Sequence, residues 1–164
     1  MAITANFEEI PPEKVTFEDE VDSSDGQPET YFLPPGIDDD SIWNAEGGKY
    51  YRGYIHDWGW THTFSPPEAA PASINSATLT IEAYDAEEGA RHLIYGDGVL
   101  LGQLAERDDR WRLTTFELGP DALAELMDGT MEIWMDIGTG STVLKVALRS
   151  STLTVNYNAK TEGN

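Results

Sequence analysis

Two sets of side chains in this sequence could do chemistry: aromatic rings crowded into one stretch, and carboxylates placed at turns. Residues 43–64 hold Trp43, Tyr50, Tyr51, Tyr54, Trp58, Trp60 and Phe64, seven of the seventeen aromatics. If Tyr50 to Trp58 is one strand, its two-residue period puts Tyr50, Arg52, Tyr54, His56 and Trp58 on one face. Flat rings stack on the apolar face of a pyranose, while Arg, His and Asp bond its hydroxyls. Tyr54, His56, Trp58 and Trp60 are therefore the candidate ligand surface, with carbohydrate as the ligand. The same rings would also serve as core between two sheets, their polar tips at the rim.

The carboxylates suggest a cation. Asp85 closes an alternating stretch, and Asp97 lies in a short loop after the next one. Calcium takes six to eight hard oxygens, which neighbouring loops can supply, so Asp85 and Asp97 are candidate calcium ligands. The glycine and the twelfth-position glutamate of an EF-hand are both missing, so that template is excluded. His56 and His62, six residues apart, with His92 as a third, would suit zinc or iron only if they converged with a carboxylate. Their spacing fits separate core or rim histidines better. There is no Gly-x-Ser-x-Gly elbow, P-loop or dinucleotide fingerprint. Zero cysteines exclude disulfides, thiolate metal sites and cysteine nucleophiles. A binding or adhesion module is expected, with no catalytic residue assigned. The alternatives are a structural part of a larger assembly (a phage particle or surface layer) and, further off, an enzyme with a histidine-bound metal.

Charge limits the partners. Thirty acids against ten bases give a net charge of −20. Residues 1–40 hold twelve acids and one base, a charge of −11, and the remainder holds eighteen acids and nine bases, a charge of −9. A chain of this sign repels nucleic acid and anionic lipid. No apolar run is long enough for a membrane span, so no membrane insertion is expected. A glycan or a surface protein is the expected partner. Met1-Ala2-Ile3-Thr4 lacks the basic start and apolar centre of a signal peptide. The expected setting is cytoplasmic if the chain is complete, and the cell exterior if it is part of a larger protein.

These residues must be positioned by strands. Trp60, His62 and Phe64 alternate with Thr61 and Thr63, and Leu79, Ile81 and Ala83 with Thr78, Thr80 and Glu82. Such alternation marks strands with one buried and one wet face. Residues 92–95 and 99–101 flank Gly96-Asp97-Gly98, a hairpin signal. Trp111 to Leu118 alternates again. Met131, Ile133, Met135 and Ile137 form an apolar face, and 143–149 and 152–157 complete the series. One short helix is expected near 120–128, from Pro120 at its start to Gly129 as its cap, with Leu123, Leu126 and Met127 sharing a face. Short strands at regular spacing and a long, proline-bearing connection from Ser65 to Ala77 predict an all-β fold, a Greek-key jelly-roll β-sandwich. Residues 42–158 form that domain, 1–41 an acidic extension in which Val15-Thr16-Phe17 could add an edge strand, and 159–164 a polar tail.

Trp60-Thr61-His62-Thr63-Phe64, Ser76 to Asp85, Asp97 to Leu104, Trp111, Thr115 to Leu118, Leu123 to Gly129 and Arg149 to Tyr157 together carry a family pattern. From about residue 60 to 157 the chain resembles a bacterial β-sandwich module of secreted or surface-anchored proteins, including large repeat-containing adhesins. The resemblance implies a non-catalytic jelly roll outside the cell, often associated with calcium. Such modules carry an Asp-x-Asp and a further acid where this chain has Asp85-Ala86-Glu87 and Arg91-His92-Leu93.

Overall fold

The computed structural model describes residues 12–22, 50–52, 57–66, 71, 73–86, 89, 91–136 and 146–159. Within them nine strands form two antiparallel sheets, with one short helix. The strands are β1 (Lys14–Asp22), β2 (Tyr50–Arg52), β3 (Trp58–Thr63), β4 (Ser73–Ala86), β5 (Leu93–Gly96), β6 (Val99–Gln103), β7 (Arg107–Glu117), β8 (Thr130–Asp136) and β9 (Val146–Asn158). The first sheet runs β1-β9-β4-β7, and β2 also pairs with β9, at residues 146–148 just beyond the stretch taken by β1. The second sheet runs β3-β8-β5-β6.

The pairings are nested. β5 pairs with β6, β4 with β7, β3 with β8 and β1 with β9, and successive pairs fall in alternate sheets. The chain thus behaves as one long hairpin rolled so that its arms close over a common core. The tip of that hairpin is the two-residue turn Asp97-Gly98, with φ of 48° and 78°. Positive φ at both central residues is what a type I′ turn needs, and Asp-Gly supplies it at little cost.

Alternation places the core. Leu79 and Ile81 of β4, Met131, Ile133 and Met135 of β8, and Leu153 and Val155 of β9 are buried between the sheets. In β7 the inward set is Phe116 with Leu118 just past the strand, so Trp111 lies on the other face and Leu113 is 61% exposed. Of the two strands expected at 143–149 and 152–157, the described residues, from Val146 on, form one strand with a bulge. Glu82 opposes Ser150 while Ala83 opposes Leu148, leaving Arg149 unopposed and reversing the inward parity after it.

The helix α1 spans Pro120–Glu125 and passes into a 3₁₀ turn, Leu126–Asp128, closed by Gly129 at φ 93°. Its buried residues are Ala122 and Leu126, whereas Met127 is 50% exposed, so Leu123, Leu126 and Met127 do not form the buried face together. The amino-terminal strand is longer than expected. β1 pairs with β9 along its whole length and Val21 is buried, so the edge strand expected at Val15-Thr16-Phe17 spans Lys14–Asp22 and belongs to the first sheet. At the other end, the Ala159 amide donates to the Glu13 carbonyl at 3.0 Å, tying the last described residue to the one that precedes β1.

Candidate functional site

Polar residues sit at inward positions on three strands. β1 turns Val15, Phe17, Asp19 and Val21 toward the core, β3 turns Trp60 and His62, and the bulge in β9 turns Ser151. They meet. His62 Nδ1 is 2.8 Å from Asp19 Oδ2, and His62 Nε2 is 2.8 Å from Ser151 Oγ. The Thr63 amide donates to the same Asp19 oxygen at 3.1 Å. Asp19 accepts from the ring at Nδ1. The Ser151 hydroxyl can donate to a neutral ring at Nε2 or accept from a protonated one, so the pair is satisfied in either state.

The hydrogen bond from His62 holds the Asp19 carboxyl below its ordinary pKa. Burial pushes the other way, and the Thr63 amide and the charge of the ring add to the lowering. The order Asp–His–Ser is that of a hydrolase triad. However, His62 and Ser151 are both 0% exposed, so a substrate carbonyl has no approach to the hydroxyl. The arrangement acts as a clasp between sheets. A second rung lies beside it, where Phe64 stands edge-on to Phe17 at 5.3 Å and to Tyr157 at 5.5 Å.

Of the residues expected to bind ligand, Trp60 is the one whose side chain lies among the described residues. Tyr50–Arg52 pairs with β9 in the first sheet and Trp58–Thr63 with β8 in the second, so these two strands belong to different sheets. Tyr54 and His56 lie outside the described residues, as does the side chain of Trp58. Trp60 is 4% exposed and packs in the core, because it shares its parity with His62 and Phe64. The side chain of Asp85 also lies outside the described residues. Asp97 ties its turn to β8: its amide donates to the Glu132 carbonyl, and its Oδ1 accepts from the Glu132 amide, both at 2.8 Å. Among the described residues no three His, Asp or Glu side chains stand together as a metal site, and no helix is long and apolar enough to cross a membrane.

An open aromatic surface exists elsewhere. On the outward face of the second sheet, Gly59, Trp134, Tyr95 and Leu100 stand side by side in register across β3, β8, β5 and β6. Trp134 is 48% exposed and Leu100 is 54% exposed. A Cβ on Gly59 would overlap the Ile133 carbonyl oxygen and come within 3.1 Å of the Trp134 ring. The glycine thus lets the indole lie close across β3. Beside it is a shallow depression of about 280 Å³, lined by Gly59, Thr61, Gly98, Glu132 and Trp134 among others. The spacing in Met131-Glu132-Ile133-Trp134-Met135 already shows Trp134 opposite the apolar face.

On the outward face of the other sheet, the described rings Tyr84 and Trp111 are engaged with each other and with an arginine. Trp111 lies 5.3 Å from Tyr84, and the Arg149 guanidinium sits 4.0 Å over it while bonding Glu82 at 3.0 Å. That stacking occupies the ring face that a ligand would need.

No family model matches the chain, and no curated protein matches it. Among solved structures it is similar to dimeric latent PorU from Porphyromonas gingivalis, at 8% identity and a TM-score of 0.48. The likeness covers 94% of this chain but 14% of that one, so the chain spans a small part of PorU's length. It is a weak match of shape, and nothing of PorU's role is carried over.

Proposed function

We propose that this chain is a non-catalytic binding module that holds carbohydrate against the outward face of its second sheet. One observation carries the reading: Trp134 is half exposed and lies across Gly59 beside a depression whose rim carries Thr61 and Glu132. An indole face pairs with the C–H face of a pyranose, and a hydroxyl and a carboxylate nearby can bond the sugar's hydroxyls. The ligand surface is thus moved from Tyr54, His56, Trp58 and Trp60 to Trp134 and its neighbours. The nested strand pairs, alternating between sheets, support reading the sandwich as a jelly roll. A place outside the cell, as part of a larger protein, goes with this role. Calcium is not needed for it.

The test is retention of the full chain on a panel of immobilised neutral and charged glycans. Retention that Trp134→Ala abolishes while the melting temperature holds supports the reading. Failure to bind any glycan, or equal binding by Trp134→Ala, overturns it. The reading as a part of a larger assembly finds some support in Leu100 and Leu113, which are exposed on opposite faces. A defined oligomer that Leu113→Ser disperses would favour that role.

A further inference from the structure

The outward face of the second sheet carries no lysine or arginine, and the sheet's one histidine, His62, is buried. Its four strands read WGWTHT, TMEIWMD, LIYG and VLLGQ, without a lysine or arginine. The opposite sheet carries Lys14, Arg52, Arg107, Arg110, Arg112 and Arg149. On the outward face of β8, Glu132 and Trp134 are both exposed and two residues apart, about 7 Å along the strand. Glu132 opposes Thr61, and Trp134 opposes Gly59.

An exposed indole with a carboxylate at that distance discriminates by charge. The ring face attracts a cation through its quadrupole, and the carboxylate adds a second attraction that no base on the sheet offsets. The net charge of −20 repels anionic ligands as they approach. We propose that the sugar stacked at Trp134 carries an ammonium group, the ligand being a polymer of amino sugars with free amines. This rests on the carbohydrate reading and narrows it: uronic-acid and sulfated polymers are rejected, and neutral ones bind weakly.

Three insoluble β-1,4-linked polymers that differ at one ring position test this: cellulose with a hydroxyl, chitin with an acetamide, and chitosan with an ammonium in mildly acidic buffer. The full chain is compared with Trp134→Ala, Glu132→Gln and, as a control on the opposite sheet, the exposed Glu117→Gln. Retention on chitosan is expected to exceed that on the other two about tenfold and to fall in about 1 M salt, where screening acts over about 3 Å. Trp134→Ala should lose it. Glu132→Gln should weaken it about two- to fivefold, and Glu117→Gln should leave it unchanged. Equal retention on all three polymers overturns the charge proposal and leaves sugar binding standing, whereas retention on none overturns both. Chitosan retention that survives Trp134→Ala, or falls equally in the two glutamine variants, is bulk adsorption of an acidic protein and overturns the proposal. A dimer formed through this face and dispersed by Trp134→Ala overturns it too.

Discussion

His62 Nδ1 lies 2.8 Å from Asp19 Oδ2, and this one bond joins strands that, among the described residues, are outermost in two different sheets. β1 is an edge strand that would otherwise be held through its pairing with β9 and the packing of its apolar side chains. An inward-facing acid on such a strand is costly unless paired, and that cost makes the sheet hard to pair wrongly with another chain. Removing Asp19 takes the charged partner from a fully buried His62, and removing His62 leaves a half-buried carboxylate without its ring donor. Asp19→Asn and His62→Phe are each expected to destabilise the fold by about 2–4 kcal/mol in urea unfolding. Ser151→Ala removes only the neutral end and should cost about 1–2 kcal/mol. Equal, negligible losses for all three would show that the clasp contributes nothing.

The clasp also gives a pH dependence of known sign. Asp19 is held below its ordinary pKa in the folded chain. Its contribution is therefore fully present above the unfolded-state value, about 4, and is lost as pH falls through the lowered folded value. The gap in melting temperature between the natural chain and Asp19→Asn should be constant near neutrality and close in acid. A gap that widens as pH falls would contradict the assignment.

Two tryptophans seventy-four residues apart should behave in opposite ways. Trp60 is 4% exposed, and its loss to alanine opens a core cavity at about 3–5 kcal/mol. Trp134 is 48% exposed, and Trp134→Ala should change stability by about 1 kcal/mol or less. Chemical denaturation of the pair separates core ring from surface ring directly.

Gly59→Ala is expected to cost about 1–3 kcal/mol, because its Cβ would meet the Ile133 carbonyl oxygen, a backbone atom of the paired strand. The same variant should shift the near-ultraviolet circular dichroism of Trp134. An unchanged spectrum would mean that the indole does not rest on this glycine.

Asp97 offers a test in the turn. Its Oδ1 accepts from the Glu132 amide, and its φ is 48°. Asp97→Asn keeps an acceptor and tolerates that backbone, so it should be nearly neutral. Asp97→Ala loses the bond and keeps the strain, and should cost about 1–2 kcal/mol. If Asp97→Asn is as harmful as Asp97→Ala, the carboxylate charge matters beyond the turn.

The sequence by itself determined the strands, because alternation is a local property of a half-buried chain. Met131-Ile133-Met135, Leu79-Ile81-Ala83 and the Asp97-Gly98 turn were all legible from spacing. It also carried a sign of the clasp, since Asp19 and His62 sit at apolar parity in Val15-Phe17-Asp19-Val21 and Trp60-His62-Phe64. What it left open was which strand lies over which. Aromatic density suggested a ligand face at residues 54–60, but Trp60 points inward with His62, and Trp58 and Tyr50 belong to strands in different sheets. Only the fold brings Ser151 to His62, because the bulge at Arg149 reverses the parity of β9, and no local pattern sets where a bulge falls. Which of the three described tryptophan side chains stays most open to water was likewise decided by pairing: Trp134 faces outward over a glycine, Trp60 points into the core, and Arg149 stacks on Trp111.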